Sequence, residues 1–275
     1  MPTMIIDWIY SSPTWLWGTI FVFVCAGVAC LGLTIFHRLV HVEIRRAHNE
    51  LAGFTVAVVA VVYAVLLAFI AVATWESFSD AQGLVDNEAD YVGNIYRDTQ
   101  GLPPEVGQTV RDDLMQYVAI VIHQEWPLQR QGKTPETGWA PLHRLHNTII
   151  TFQPQTRGQG VVQAELLRTL NELYKARESR LSAVEGHVPF VIWWIIFFGG
   201  GLVVIYTYLF GFHDFRMHLV MTAVVTTSLA LVVVLIISLD WPFRGAVSIT
   251  PEAFLKTQAS WGTADSTTAR TQPPK

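Results

Sequence analysis

Four long apolar blocks without a charged residue constrain the fold of this chain most. They contain no Lys, Arg, Asp or Glu, and they are Trp15–Phe36, Ala52–Thr74, Val188–Phe210 and Leu219–Leu239. An α-helix needs about 20 apolar residues to cross the hydrocarbon core of a bilayer, and each block has that length. Because soluble helices rarely stay uncharged over such a stretch, the sequence predicts an all-α membrane protein with four transmembrane helices.

The segment between the second and third blocks predicts a helical insert outside the membrane. Its apolar residues recur at helical spacing, and turn residues divide it into several helices. The second span is expected to continue as one helix to Gly101-Leu102-Pro103-Pro104, because proline disfavours the α conformation in the residue before it. Trp126-Pro127 is expected to close the next helix, and further helices are predicted at about 142–152 and 161–184.

These elements divide the chain into four parts. We predict an N-terminal membrane half at 1–74, the extramembranous insert at 75–187, a C-terminal membrane half at 188–240 and a tail at 241–275. The tail has a short segment at Pro251–Phe254, and its Thr, Ser and Pro content from Gly262 onward predicts disorder. The basic residues of the short loops lean toward an external N-terminus.

Composition and motifs exclude several functions. The net charge is -4, and 18 basic residues are scattered among 22 acidic ones, so no nucleic-acid surface is expected. No Walker loop, HExxH or CxxC motif occurs, and we therefore predict no enzyme, no catalytic residue and no cofactor. His37 and His41 share one helical face near His48, but polar residues at headgroup level explain this linker better than a metal site.

The second block carries a stripe of small residues at three- and four-residue spacing, namely Ala57, Ala60, Ala64, Ala68 and Ala71. Two interpretations are open. The stripe packs against the other helices of the same chain, which is favoured, or the helix lines a central pore of an oligomer and exposes Val65 and Phe69. Gly199-Gly200-Gly201 allows the same two interpretations, with close packing favoured. The uncharged spans argue against carboxylate-based proton transport, whereas an apolar pore remains open.

Charged residues outside the spans have structural interpretations. Arg177 and Arg180 are expected to pair with Glu88 or Asp90 as an ordinary salt link between two helices. Asp240-Trp241-Pro242-Phe243-Arg244-Gly245 predicts a sharp turn at the membrane surface. The alternative for this turn is an ion site at a pore mouth.

Five short motifs, in a fixed order, resemble those of one family. They are His48-Asn49-Glu50-Leu51-Ala52-Gly53-Phe54, Trp75-Glu76, Glu125-Trp126-Pro127-Leu128, Leu209-Phe210-Gly211 and Asp240-Trp241-Pro242-Phe243-Arg244-Gly245. Together they resemble the bacterial DUF4239 family, also called the bestrophin-like domain family, from about residue 48 to residue 254. The candidate family-motif residues are His48, Asn49, Glu50, Gly53, Glu76, Glu125, Trp126, Pro127, Asp240, Pro242 and Phe243.

This resemblance implies a function. Bestrophins are pentameric anion channels in which each subunit has four spans, a cytosolic helical domain follows the second span, and the second span lines the pore. The resemblance thus implies a multi-pass homo-oligomer of the bacterial inner membrane that contacts lipid, passes small anions and lines its pore with Val65 and Phe69. The alternative hypothesis is a non-conducting scaffold or sensor whose helical insert binds a partner protein.

Overall fold

The computed structural model describes residues 2–46, 49–185 and 188–270, and these residues contain no β-strand. The helices are α1 (Pro2–Ser11), α2 (Thr14–Leu39), α3 (Val42–Arg46), α4 (Asn49–Asp98), α5 (Pro104–Ile120), α6 (Trp126–Gln129), α7 (Trp139–Thr151), α8 (Arg157–Ser182), α9 (Phe190–Tyr208), α10 (Phe215–Asp240) and α11 (Glu252–Arg270). A 3-10 turn at Thr99–Gly101 extends α4, and a π turn at Val121–Glu125 joins α5 to α6.

Four of these helices are long and apolar enough to cross a bilayer. They are Thr14–Leu39, Asn49–Gly101 with its 3-10 turn, Phe190–Tyr208 and Phe215–Asp240. The prediction of an all-α membrane protein with four apolar helices is therefore confirmed. The third helix begins at Phe190 rather than Val188, because Pro189 is extended and precedes the first turn.

The described residues form two compact units. The first contains residues 2–78, 188–241 and 245–247, and the second contains 79–185, 242–244 and 248–270. The first unit has a core of buried side chains, namely Tyr63, Leu67, Ile196, Val203, Val233 and Ile236. The Tyr63 hydroxyl donates to the Ile196 carbonyl at 2.6 Å. Close packing at the glycine run is confirmed at Gly199, where an added Cβ would lie 2.5 Å from the Tyr63 ring.

The second unit is built around the last part of α4 together with α5, α7, α8 and α11. Apolar side chains at helical spacing are buried on each of them, such as Val85 on α4, Leu114 on α5 and Leu170 on α8. As predicted, α4 continues unbroken to the 3-10 turn before Pro103-Pro104. Pro104 then occupies the first turn of α5, where its missing N–H is not needed.

Three predictions for this unit are corrected. Trp126-Pro127 does not close a helix; it opens α6, whose first turn tolerates Pro127 because no hydrogen bond from that position is required. The helix α8 begins at Arg157 rather than Val161, since the Thr156 side chain caps it by accepting from the Gln159 N–H at 3.2 Å.

The third correction concerns the tail. The expected disorder from Gly262 is wrong for residues 262–270, because α11 runs from Glu252 to Arg270, and residues 271–275 lie outside the described part. No proline interrupts this stretch, and the buried Phe254 and Trp261 stand seven residues apart on one face. The Trp261 ring stacks on Tyr96 with centroids 4.5 Å apart.

Candidate functional site

The two predicted pore-lining residues lie on one exposed face of α4 in the first unit. Val65 is 51% exposed and Phe69 is 72% exposed, whereas Tyr63 and Leu67 on the opposite face are buried. We call the surface made by Val65, Phe69, Ala57, Ala64 and Ala68 the exposed α4 face. Packing of the alanine stripe within one chain is therefore wrong for these three alanines. The assignment of Val65 and Phe69 to a pore stays a prediction.

Two family motifs meet in the first unit through Asn49. Its side-chain amide donates to the Gly211 carbonyl at 3.0 Å, and its oxygen accepts from the Gly211 N–H at 2.8 Å. A Cβ on Gly211 would lie 2.6 Å from the Arg46 backbone nitrogen, so only glycine fits this close approach. The side chain of Asn49 thus ties the start of α4 to the end of α9.

The other family-motif residues of this part of the chain lie at the protein surface, against a neighbouring ring or outside the described residues. Glu50 and Glu76 are exposed, and Gly53 lies against the Phe210 ring, with an added Cβ 3.8 Å away. His48 lies outside the described residues. The described residues contain no group of three His, Cys, Asp or Glu side chains arranged for a metal ion, and the His37 Nδ1 accepts from Arg45 Nη2 at 2.7 Å.

A second constellation lies in the core of the second unit. We call it the buried charge cluster, and it consists of Glu88, Glu125, Arg177 and Arg180, each with a fully buried side chain. Arg177 holds Glu125 with two parallel hydrogen bonds of 2.6 and 2.9 Å. Arg180 donates to Glu88 at 2.6 and 3.1 Å and also to Glu125 at 2.9 Å, so it links both carboxylates. Two negative and two positive charges therefore compensate each other in the core of the unit.

Neutral groups complete the shell of this cluster. The Tyr117 hydroxyl donates to Glu88, and the Gly138 N–H donates to Glu125 Oε1 at 2.8 Å. The Trp139 ring centroid lies 4.6 Å from the Arg177 guanidinium carbon, and Trp126 lies 5.6 Å from that of Arg180. Aromatic faces attract guanidinium groups, so these rings further stabilise the buried cations.

The surroundings favour the charged form of Glu125 and the neutral form of Tyr117. Burial would raise the pKa of Glu125, but hydrogen bonds and charges from Arg177 and Arg180 outweigh it and hold the pKa below its usual range. Burial and the Glu88 carboxylate raise the pKa of Tyr117, so its hydroxyl stays protonated and donates. The cluster is built to hold four charges in place.

The sequence anticipated only part of this cluster. The Arg180–Glu88 pair is confirmed, but Asp90 forms no ion pair within the described ranges, and Glu125 was missed as the shared partner. The expectation of an ordinary salt link is wrong because the four side chains are buried. A signal was available, since Arg177 and Arg180 continue the apolar stripe of Leu166, Leu170 and Leu173 at the same spacing.

Two other motifs also meet in the second unit. The buried Trp126 packs edge-on against Phe243, with centroids 5.8 Å apart, and its Nε1 donates to the Ile249 carbonyl at 3.3 Å. The Pro242 carbonyl accepts from the Ile249 N–H at 2.8 Å and closes the turn. In the first unit, the buried Asp240 carboxylate accepts from the Val188 N–H at 2.8 Å, which favours a structural role over an ion site.

Comparison with known proteins gives a family and a fold. The model of the bestrophin-like domain matches residues 23–254. A mutant of a bacterial bestrophin homologue from Klebsiella pneumoniae shares 16% identity and a TM-score of 0.63, over 86% of this chain and 95% of that chain. The same homologue, phased with zinc, shares 16% identity and a TM-score of 0.59, over 88% and 94%. No curated protein matches. At this identity the solved structures establish a shared fold alone.

Proposed function

The chain belongs to the bestrophin-like domain family, and on that premise we propose that it is a subunit of an oligomeric channel for small anions in the bacterial inner membrane. In bestrophins the second span lines the pore. The observation that carries the proposal is the exposed α4 face, on which Val65 is 51% exposed and Phe69 is 72% exposed among the described residues. The same span contains no charged residue between Ala52 and Thr74.

The chemistry of this face suits a weakly selective apolar pore. A hydrophobic constriction can gate ion flow by dewetting, so no charged ring is needed to control conduction. The edge of an aromatic ring carries partial positive charge, and Phe69 would present such an edge to a passing anion. An apolar constriction with aromatic edges therefore favours small, weakly hydrated anions over cations.

The proposed pore needs more than one copy of the chain. A single four-helix subunit has no room for a pore of this type, so the exposed α4 faces of several subunits would have to surround it. Ala57, Ala64 and Ala68 stay exposed in the single chain, and small residues allow neighbouring helices to approach closely. We therefore propose a ring of identical subunits with α4 nearest the axis.

The direct test is ion flux from liposomes that contain the purified protein as an oligomer of measured size. Halide efflux should depend on the protein and exceed potassium efflux, and protein-free liposomes serve as the control. A monomeric protein, or a folded oligomer that passes no halide at several pH values and calcium concentrations, would contradict the proposal. Function would then rest with a partner of the helical second unit.

A further inference from the structure

A groove in the first unit combines apolar walls with one buried cation. Its volume is about 370 Å³. The walls come from the end of α2, the start of α4 and the end of α9, and they include Phe36, Val40, Leu51, Ala52 and Leu209. Arg45, on the short helix α3, is the charged residue that lines it. We call this the Arg45 groove.

The positive charge of Arg45 has no counter-charge among the residues described. The residue is only 4% exposed. Its Nη1 donates to the carbonyls of Tyr208 at 3.1 Å and Phe210 at 3.3 Å, and its Nη2 donates to His37. Its Nε has no hydrogen-bond partner among the described residues. No described carboxylate forms an ion pair with it. Because arginine does not deprotonate in proteins, a full charge lies in the groove wall.

An uncompensated buried charge is costly, and the second unit shows the contrast. There the buried guanidinium groups of Arg177 and Arg180 are matched by the buried carboxylates of Glu88 and Glu125. Among the described residues Arg45 has only neutral hydrogen-bond partners, and burial lowers its pKa. A bound anion would supply the missing charge.

The position and the walls of the groove identify the kind of anion. Arg45 lies in the linker between two membrane spans, where lipid headgroups are expected, and exposed Arg38 and Arg46 flank it. Leu39 and Leu51 at the adjoining helix ends are exposed and apolar. A soluble anion would neutralise Arg45 but leave these apolar walls uncovered, whereas a zwitterionic lipid would cover the walls without supplying net charge.

We propose that the Arg45 groove binds one anionic phospholipid, with the charged headgroup at Arg45 and an acyl chain along the apolar walls. This site is independent of ion conduction. It would tie the linker between α2 and α4 to the lipid composition of the membrane.

Native mass spectrometry of the purified protein tests this proposal. Dioleoyl phosphatidylglycerol should give a first lipid adduct at least about tenfold tighter than dioleoyl phosphatidylcholine, as expected for one charge-assisted contact. Arg45→Gln should abolish this preference. Arg46→Gln removes an exposed charge from the same short helix and is the matched control, which should retain it.

Arg45→Gln removes hydrogen bonds to two backbone carbonyls as well as the positive charge. A second variant is therefore needed to separate lipid binding from folding. Ala52→Trp fills the groove from α4 and leaves Arg45 intact, so it should lose the first adduct without a change in melting temperature. Equal affinity for the two lipids, an unchanged preference in Arg45→Gln, or displacement of the lipid by inorganic phosphate would overturn the proposal. The last result would indicate a soluble-anion site instead.

Discussion

Two stretches of the same helix, α4, differ in the exposure of their side chains. Near the middle of the first unit, Val65 and Phe69 point away from the chain and are more than half exposed. In the second unit, Val85, Glu88 and Val92 on the same helix are fully buried. The second stretch finds its partners within its own unit, whereas the first must find them in lipid or in another subunit. Substitutions should therefore affect stability in the second stretch and conduction in the first.

The same two stretches of α4 also differ in whether they contain charged residues. The exposed stretch is uncharged, because a lipid- or pore-facing helix cannot compensate an ion at low cost. The buried stretch accommodates Glu88, since Arg180 and Tyr117 satisfy both carboxylate oxygens. A buried charge is tolerated only as part of a complete cluster, and removal of one member leaves its partner uncompensated.

The largest effect is expected for Arg180→Ala. This substitution leaves Glu88 without its cation and removes one of the two cationic partners of Glu125, and it should destabilise the protein by about 3–5 kcal/mol. Thermal or denaturant unfolding of the purified protein measures the loss. The control is Arg168→Ala, which breaks an exposed pair with Glu165 and should destabilise the protein far less. Similar losses in both variants would show that the cluster is not buried as described.

Leu67→Ser is expected to have a somewhat smaller effect. Leu67 is 3% exposed in the core of the first unit, so the change should cost about 2–4 kcal/mol through the cavity and the buried hydroxyl. Phe69→Ser, two residues away on the exposed α4 face, should change the stability of the detergent-solubilised protein far less. If both variants unfolded alike, the division of α4 into a buried and an exposed face would be wrong.

Gly138→Ala should cost about 1–3 kcal/mol. The added methyl group would lie 2.6 Å from both Arg177 Nη1 and Glu125 Oε1, so the cluster must shift to admit it. Gly158→Ala is the matched control, because the nearest atom to its Cβ is 3.9 Å away. Comparison of the two melting temperatures measures the difference, and no loss for Gly138→Ala would contradict the tight shell.

A smaller effect should appear in acid. The pKa of Glu125 is lower in the folded protein than the usual unfolded value of about 4.3, because Arg177 and Arg180 favour its charged form. The resulting stability is fully present above that unfolded pKa and is lost as the pH falls through the lower folded pKa. Melting temperatures between about pH 6 and pH 3 should fall less steeply in Glu125→Gln than in the wild-type protein. Parallel curves would exclude this linkage.

The sequence predicted the fold well where one physical signal dominates. Charge-free runs of sufficient length identify the four spans, and Gly101-Leu102-Pro103-Pro104 marks the end of α4. The π turn and α11 were missed, because their stability comes from tertiary contacts, such as the stacking of Trp261 on Tyr96, that no local pattern reports. For the same reason, residue spacing did not identify the Asn49–Gly211 link.

Only part of the candidate site could likewise be predicted from the sequence. The sequence predicts that Arg177 and Arg180 pair with Glu88 or Asp90, because these residues lie on the last and first helices of the insert. Burial of the cluster depends on how several helices pack together, which the sequence pattern does not report. The exposed α4 face was one of two interpretations, since alanines and bulky residues alternate around the span. Only the packed chain shows that Tyr63 and Leu67 are buried while Val65 and Phe69 are not.

The measurement that tests the central claim most directly is halide flux from liposomes containing Phe69→Ser, with Phe23→Ser on α2 as the control. Phe23 is 73% exposed, nearly the same as Phe69 at 72%, but it lies on a different helix. If the exposed α4 face lines the pore, a small polar residue at 69 should ease wetting and raise halide flux by about tenfold, equivalent to a barrier lower by ~1.4 kcal/mol. Phe23→Ser should leave the flux unchanged. Equal flux in the two variants and the wild-type protein would contradict the assignment of α4 to the pore.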